Sequence, residues 1–228
     1  MDRDEESIGG IRNPLLPTKQ LFRTSVILDI IAVALSFVIS IWFATGIVAY
    51  ILASRAYSYR GIRLKQYPVV GYLTVVIFQG GVTFFLVHHG CSAEKSLDAP
   101  LLGMIVSSLL IGGFYPLTQI YQHEADKRDK VITLSYILGY RGTFIFTAIV
   151  YIMAMGMLFY YFKTNSEENK FFITATAMLP VLVYFFYWAI QVWKDSSAAD
   201  YTHTMRMNMI ASACTNLAFL ILLTGRLF

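Results

Sequence analysis

The stretch LFRTSVILDIIAVALSFVISIWFATGIVAYILAS, residues 21–54, decides how many times this chain crosses a membrane. Its 34 residues include only two charged side chains, Arg23 and Asp29. A single helix of that length would measure about 51 Å, whereas the hydrocarbon core of a bilayer is about 30 Å thick. We therefore predict two short helices joined by a tight turn near Ser40.

The composition of the whole chain favours a membrane environment. Of its 228 residues, 57% are hydrophobic and 14% are charged, and the mean hydropathy is +0.58. Soluble domains carry about 25% charged residues. Aromatic residues make up 15% of the chain, which suits lipid contact and interfacial belts. We therefore predict an all-α fold, a polytopic transmembrane helical bundle.

Further apolar segments have the length of about 20 residues that a spanning helix needs. They are Val69 to His88, Leu101 to Tyr121, Thr143 to Phe162, Phe171 to Trp193 and Asn208 to Leu227. Together with the two helices in residues 21–54, they predict seven spans.

The distribution of basic residues predicts the orientation, because Lys and Arg favour the cytoplasmic side. With seven spans, fourteen of the 18 Lys and Arg residues fall on the side of the N-terminal tail and the loops 55–68, 122–142 and 194–207. A single helix in residues 21–54 would remove this bias. We therefore expect that side to face the cytoplasm, in an inner or plasma membrane. The net charge of +4 reflects the same bias and indicates no nucleic acid partner.

Several kinds of site have no motif in this sequence. Cys91 and Cys214 are far apart in apolar surroundings, with no metal-ligand spacing and no disulfide framework. There is also no Walker-type phosphate loop, no HExxH pair and no nucleophile elbow.

Two groups of acidic residues fall on the predicted cytoplasmic side. The first is MDRDEE, residues 1–6, and the second is EADKRD, residues 124–129. The second group follows an apolar helix, and we expect it to extend that helix beyond the membrane surface. Two carboxylate groups on facing helices can hold Mg²⁺ against a diphosphate, with nearby Lys and Arg neutralising the remaining charge.

The second acidic group also has a structural interpretation. Glu124 and Arg128 are four residues apart, as are Asp126 and Lys130, and this spacing is ordinary on a solvated helix. The group is therefore either a metal site or a set of surface ion pairs.

Two polar residues lie inside predicted spans, Asp29 and Gln79. Intramembrane polar residues can mark a transport path, so a small membrane transporter is an alternative function. For Asp29 we favour a structural role, in which it pairs with Arg23 or caps a neighbouring helix.

Three segments of the chain resemble the UbiA-type intramembrane prenyltransferase superfamily. YQHEADKRDKVITLSYILGYRGTF, residues 121–144, resembles the second Asp-rich motif of that family. MDRDEESIGG, residues 1–10, resembles the end of the first motif, and SRAYSYRGIRLKQYPVVGYL, residues 54–73, resembles the basic loop after the fourth helix.

The resemblance extends over nearly the whole chain, with two departures. The family has nine helices, and its first two, with the Asn and first Asp of its first motif, would precede Met1. In the second motif Gln122 takes the first Asp position, Asp126 is retained, and Glu124 is the candidate substitute. We therefore expect residues 1–228 to form a single prenyltransferase-like domain that is N-terminally incomplete. We expect little or no activity from this chain alone, and a non-catalytic remnant is a further alternative.

The resemblance implies Mg²⁺-dependent transfer of a prenyl chain from a prenyl diphosphate to an aromatic or other lipid-precursor acceptor, in isoprenoid or quinone biosynthesis. The residues implied for metal binding and catalysis are Asp2, Glu6, Glu124 and Asp126, with Asp129 added for catalysis. Those implied for diphosphate binding are Arg63, Lys65, Arg128 and Lys130. Those implied for the acceptor or prenyl pocket are Tyr57, Gln79, Tyr121 and Gln122.

Overall fold

A computed structural model describes residue 11, residues 18–59 and residues 61–224. Most of these residues are helical, and residues 18–59 and 61–224 contain no β-strand. The prediction of an all-α bundle is therefore confirmed.

Eight helices follow one another along the described part of the chain. They are α1 (Lys19–Ile39), α2 (Ile41–Ser58), α3 (Pro68–Cys91), α4 (Leu101–Arg128), α5 (Leu134–Thr164), α6 (Glu168–Ala177), α7 (Leu179–Lys194) and α8 (Tyr201–Thr224). A short 3₁₀ turn, Ile120–Gln122, lies within α4. The predicted extension of this helix through the second acidic group is therefore present.

Five of the described helices are long and apolar enough to cross a membrane, namely α1, α3, α4, α5 and α8. A sixth span results if α6 and α7, which are bent by 43°, are counted together. The bend has a local cause, because Pro180 in the first turn of α7 has no N–H to continue the hydrogen bonds of α6. The predicted count of seven is not confirmed, since α2 is not among these helices; Arg55 and Ser58 make its C-terminal end polar.

The predicted turn at Ser40 separates α1 from α2. Ser40 has an extended backbone, its N–H donates to the Ser36 carbonyl at 3.3 Å, and its hydroxyl accepts from the Phe43 N–H at 3.0 Å. The same hydroxyl lies 2.6 Å from Nε2 of His89, whose Nδ1 is 3.0 Å from the Ser96 carbonyl. The α1–α2 turn is therefore held to the end of α3.

Asp29 has a structural partner, but not the one predicted. Its carboxylate pairs with the Arg55 guanidinium of α2, and Arg55 also donates to the Ser25 hydroxyl at 2.9 Å. Arg55 lies near the C-terminal end of α2, which runs antiparallel to α1. The expected pairing with Arg23 is therefore wrong, because Asp29 meets a cation on the neighbouring helix.

Helix α3 approaches α4 closely through two glycines. A Cβ atom at Gly80 would lie 2.4 Å from the Ser108 Cα, and one at Gly81 would lie 3.1 Å from the Ser108 hydroxyl. The surrounding segment, Val76–Val82, is a π-helix, which often occurs at functional sites. The absence of a side chain at Gly80 and Gly81 thus allows the close helix contact.

One end of the bundle, here called the basic end, consists of the segments 61–67, 129–133 and 195–200. Arg63 of the first loop donates from Nη2 to the Asp129 carboxylate at 2.9 Å and from Nη1 to the Asp129 carbonyl at 3.3 Å. The rings of Tyr121 and Tyr201 meet edge to face, with centroids 5.3 Å apart, and join α4 to the start of α8. The basic end is therefore held together by contacts between these segments.

Candidate functional site

A cavity of about 490 Å³ lies among α2, α3, α4 and α8. At the basic end its wall includes Lys65, Asp126 and Thr133, and deeper in the bundle it includes Tyr50 and Phe78. On α2 the lining continues from Ser58 to Tyr50, a rise of about 12 Å at 1.5 Å per residue. The cavity therefore extends from a polar, charged mouth to an aromatic interior.

The structure brings six of the predicted site residues to this cavity. They are Tyr57, Gln79, Tyr121 and Gln122 from the predicted acceptor or prenyl pocket, with Lys65 and Asp126. Both Lys65 and Asp126 are half-buried. One cation and one carboxylate therefore share the mouth of the cavity.

The other predicted residues lie elsewhere. Glu124, Arg128 and Lys130 are exposed and do not line the cavity, and Arg63 is engaged with Asp129. The predicted metal ligands Asp2 and Glu6 lie outside the described residues. Of the predicted acidic residues in the described part, Asp126 is thus the one that reaches the cavity.

Hydrogen bonds along α4 orient the polar wall of the cavity. Nε2 of Gln122 donates to the Tyr121 hydroxyl at 2.8 Å, and Nε2 of Gln119 donates to the Tyr115 hydroxyl at 3.0 Å. The Tyr115 hydroxyl also bonds the Tyr57 hydroxyl of α2. Each amide nitrogen uses one of its two N–H donors in these bonds, so the amide oxygen and the second N–H of each Gln can face a ligand.

Sequence reasoning missed Tyr115 and Gln119. The signal was present, because Tyr115, Gln119, Gln122 and Asp126 recur at intervals of four, three and four residues, which place them on one helix face. The predicted span ended at Tyr121. Because this boundary separates Tyr115 and Gln119 from Gln122 and Asp126, the four residues do not stand out in the sequence as one polar face.

The corner between α4 and α5 is built from buried polar side chains. Nε2 of His123 lies 2.8 Å from the Ser135 hydroxyl, which is 3.1 Å from the Thr143 hydroxyl. Thr143 also donates to the Gly139 carbonyl at 2.8 Å. Gly139 has φ 67° and ψ 177°, a conformation that is essentially restricted to glycine, and it interrupts the helical backbone of α5. His123 is only 5% exposed.

This corner is what positions the end of α4. Thr133 lines the cavity, and its hydroxyl accepts from the Tyr136 N–H at 3.2 Å, so it caps the first turn of α5. The residues that follow the acidic group therefore have a structural role, because their hydrogen bonds hold the loop after Asp126 in place.

The donor atoms at the mouth suit a hard cation that also binds substrate. In residues 18–59 and 61–224, no three His, Cys, Asp or Glu side chains lie close enough to hold a metal ion together. Mg²⁺ usually takes one or two carboxylates and completes its shell with waters and substrate phosphates. The carboxylate of Asp126 and the amide oxygen of Gln122 fit this kind of donor set.

The arrangement of Asp29 and Gln79 does not support a shared transport path. Gln79 lines the cavity, whereas Asp29 pairs with Arg55 between α1 and α2 and is absent from the cavity wall. The described part of the chain therefore gives the two residues separate environments.

One protein family has a model that matches most of this chain. A model of the UbiA prenyltransferase family matches residues 11–210. No curated protein and no solved structure matches the chain. The matched range contains every cavity residue named above.

Proposed function

Because the chain belongs to the UbiA prenyltransferase family, we propose that its cavity binds a prenyl diphosphate, with the diphosphate at the basic end and the prenyl chain among the aromatic residues. Membership in the family implies a prenyltransferase that acts on lipid-type acceptors, and together with the apolar helices it indicates an integral membrane protein. The substrates, the metal and the orientation that follow are parts of the proposal.

The observation that carries the proposal is the polarity of the cavity from mouth to interior. Lys65 and Asp126 line the mouth, while Tyr50 and Phe78 line the interior with their rings edge to face at a centroid distance of 6.2 Å. A prenyl diphosphate has the same polarity, with a charged head and an apolar tail. The cavity therefore suits a prenyl diphosphate whose diphosphate lies at the mouth and whose chain points into the interior.

Charge at the mouth supports diphosphate binding. Lys65 supplies a cation for the phosphate oxygens, and Asp126 with the amide oxygen of Gln122 would hold Mg²⁺. When bound, Mg²⁺ neutralises the diphosphate and makes it a better leaving group. Arg63, through its bonds to Asp129, positions the loop that carries Lys65.

The transfer requires one bond to break and one to form. The bond between the prenyl C1 and the diphosphate oxygen breaks, and its electron pair stays on the diphosphate. Aromatic rings close to the mouth, those of Tyr57 and Tyr121, would stabilise the allylic cation at C1. The acceptor then bonds to C1 with one of its own electron pairs and loses a proton, which the released diphosphate takes up. The apolar walls keep water from competing for the cation.

Filling the cavity tests the proposal. Ala53 lines the cavity on α2, whereas Ala49, one turn away, is exposed and outside it. We expect Ala53→Trp to weaken binding of farnesyl thiodiphosphate, an analogue that resists cleavage, by about tenfold or more, which corresponds to about 1.4 kcal/mol. Equilibrium binding to protein in nanodiscs with Mg²⁺ is the measurement, with Ala49→Trp as the matched control. Equal affinities for the two variants would count against the cavity.

We also propose that the basic end faces the cytoplasm, as the excess of Lys and Arg there favours. Lys130 and Asp98 are exposed at opposite ends of the bundle and suit cysteine labelling in a Cys91→Ser background. A membrane-impermeant maleimide should modify Lys130→Cys in inside-out vesicles and Asp98→Cys in right-side-out vesicles. The reverse pattern would show that the orientation is wrong.

A further inference from the structure

A buried amide oxygen lies in the wall of the same cavity, on α8. Asn208 of α8 lines the cavity, and its Oδ1 atom is buried without a hydrogen-bond partner in the described part of the chain. A buried amide oxygen without a partner costs free energy, and polar groups inside a membrane are generally tied to function. The amide therefore has the properties of a group that awaits a ligand.

Two other polar side chains of the cavity wall have hydrogen-bond partners, unlike the Oδ1 atom of Asn208. The hydroxyl of Thr74 donates to the Val70 carbonyl, and the hydroxyl of Thr118 donates to the Tyr115 carbonyl, both at 2.7 Å. These two hydroxyls have partners within their own helices. The Tyr151 hydroxyl is buried without a partner as well, but Tyr151 does not line the cavity. Asn208 both lines the cavity and has a buried polar atom without a hydrogen-bond partner among the described residues.

The depth of Asn208 separates it from the diphosphate site. It lies seven residues beyond the start of α8 at Tyr201, a rise of about 10 Å. A prenyl chain is a hydrocarbon and offers no hydrogen bond at that depth. The group that pairs with Asn208 therefore belongs to the second substrate.

We propose that Asn208 is a specificity-determining residue, whose side-chain amide hydrogen bonds to a hydroxyl group of the acceptor. A hydroxyl both donates and accepts, so it satisfies the amide whichever way the side chain is turned. A neutral amide also avoids placing a charge inside the membrane. This inference rests on the proposed function, because it assigns the second substrate of the same cavity.

A pair of probes that differ in one group tests the inference. We choose 2-naphthol and 2-methylnaphthalene, in which a hydroxyl is replaced by a methyl group of similar size. The measured quantity is the ratio of their dissociation constants for protein in nanodiscs loaded with Mg²⁺ and farnesyl thiodiphosphate. Partition of the probes into lipid cancels when this ratio is compared between variants. We expect Asn208→Leu to reduce the preference for 2-naphthol by about 5- to 150-fold, the effect of losing one buried hydrogen bond.

The controls separate this inference from the proposed function. Asn216→Leu makes the same change on an exposed part of α8 and should leave the preference unchanged. Asn208→Asp keeps an acceptor oxygen and should retain a preference for 2-naphthol. An unchanged preference in Asn208→Leu, or no saturable binding of 2-naphthol to the wild-type protein, would overturn the assignment. Binding of farnesyl thiodiphosphate should persist in Asn208→Leu, and its absence from the wild-type protein would instead refute the proposed function.

Discussion

The replacement Asp126→Asn removes the cavity's one predicted acidic side chain among residues 18–59 and 61–224. Two unit charges about 4 Å apart interact by about 4 kcal/mol at an effective dielectric constant of 20. Asp126 is half-buried, so solvent screening lowers this to about 2–3 kcal/mol. We therefore expect the gain in affinity for farnesyl thiodiphosphate on adding Mg²⁺ to fall by about 30- to 150-fold.

The assay is equilibrium binding to protein in nanodiscs, with Mg²⁺ and with EDTA. In EDTA we expect the Asp126→Asn protein to bind at least as tightly as the wild type, because a carboxylate without its cation repels the diphosphate. Asp98→Asn removes the same charge from an exposed loop at the opposite end and serves as the control. If Mg²⁺ raises the affinity of the Asp126→Asn and wild-type proteins by the same factor, the metal assignment is refuted.

Three further replacements test the site and its supports. Lys65→Gln should weaken farnesyl thiodiphosphate binding by about tenfold with or without Mg²⁺, since it removes a charge-assisted hydrogen bond, and an effect seen only with Mg²⁺ would contradict this role. Gly139→Ala should lower the free energy of unfolding by about 1–3 kcal/mol, because φ at Gly139 is 67°, which strains a residue with a side chain even where no atom of the described residues lies within 4 Å of the new Cβ. The control Gly142→Ala, at a helical position, should not lower the free energy of unfolding. Gly80→Ala should lower the free energy of unfolding by about 1–3 kcal/mol or more, because its Cβ would lie 2.4 Å from the backbone of Ser108. The control Gly156→Ala should be tolerated, because its Cβ would meet no atom within 4 Å in the described part of the chain. Denaturant unfolding followed by helical circular dichroism measures both pairs, and equal values within a pair would contradict the explanation.

Features encoded by local pattern were predictable from the sequence. The length of the apolar stretch 21–54 predicted a turn at Ser40, and the structure has it there because Ser40 caps α2. Two adjacent glycines in an apolar helix, here Gly80 and Gly81, are typical of a close helix contact, which α3 makes with α4. The acidic group after the apolar stretch also indicated a helix extension, and α4 continues to Arg128 with Asp126 in the cavity wall.

Features that depend on neighbouring helices were not predictable. Asp29 was matched with the nearest cation in sequence, whereas its partner Arg55 is 26 residues away. Glu124 was grouped with Asp126, but helix rotation leaves Glu124 exposed while Asp126 lines the cavity. Asn208 gave no signal at all, because its importance comes from the absence of a hydrogen-bond partner in the packed bundle.

The central claim is that the cavity holds a prenyl diphosphate with its chain toward the aromatic interior. Photolabelling with a short prenyl diphosphate that carries a diazirine at the chain end, followed by mass spectrometry, tests it most directly. We predict labelled residues on α2 and α3 near Tyr50 and Phe78, with labelling that requires Mg²⁺ and is displaced by excess farnesyl diphosphate. Label spread over the lipid-facing surface of α1, in equal amounts with Mg²⁺ and with EDTA, would contradict the account.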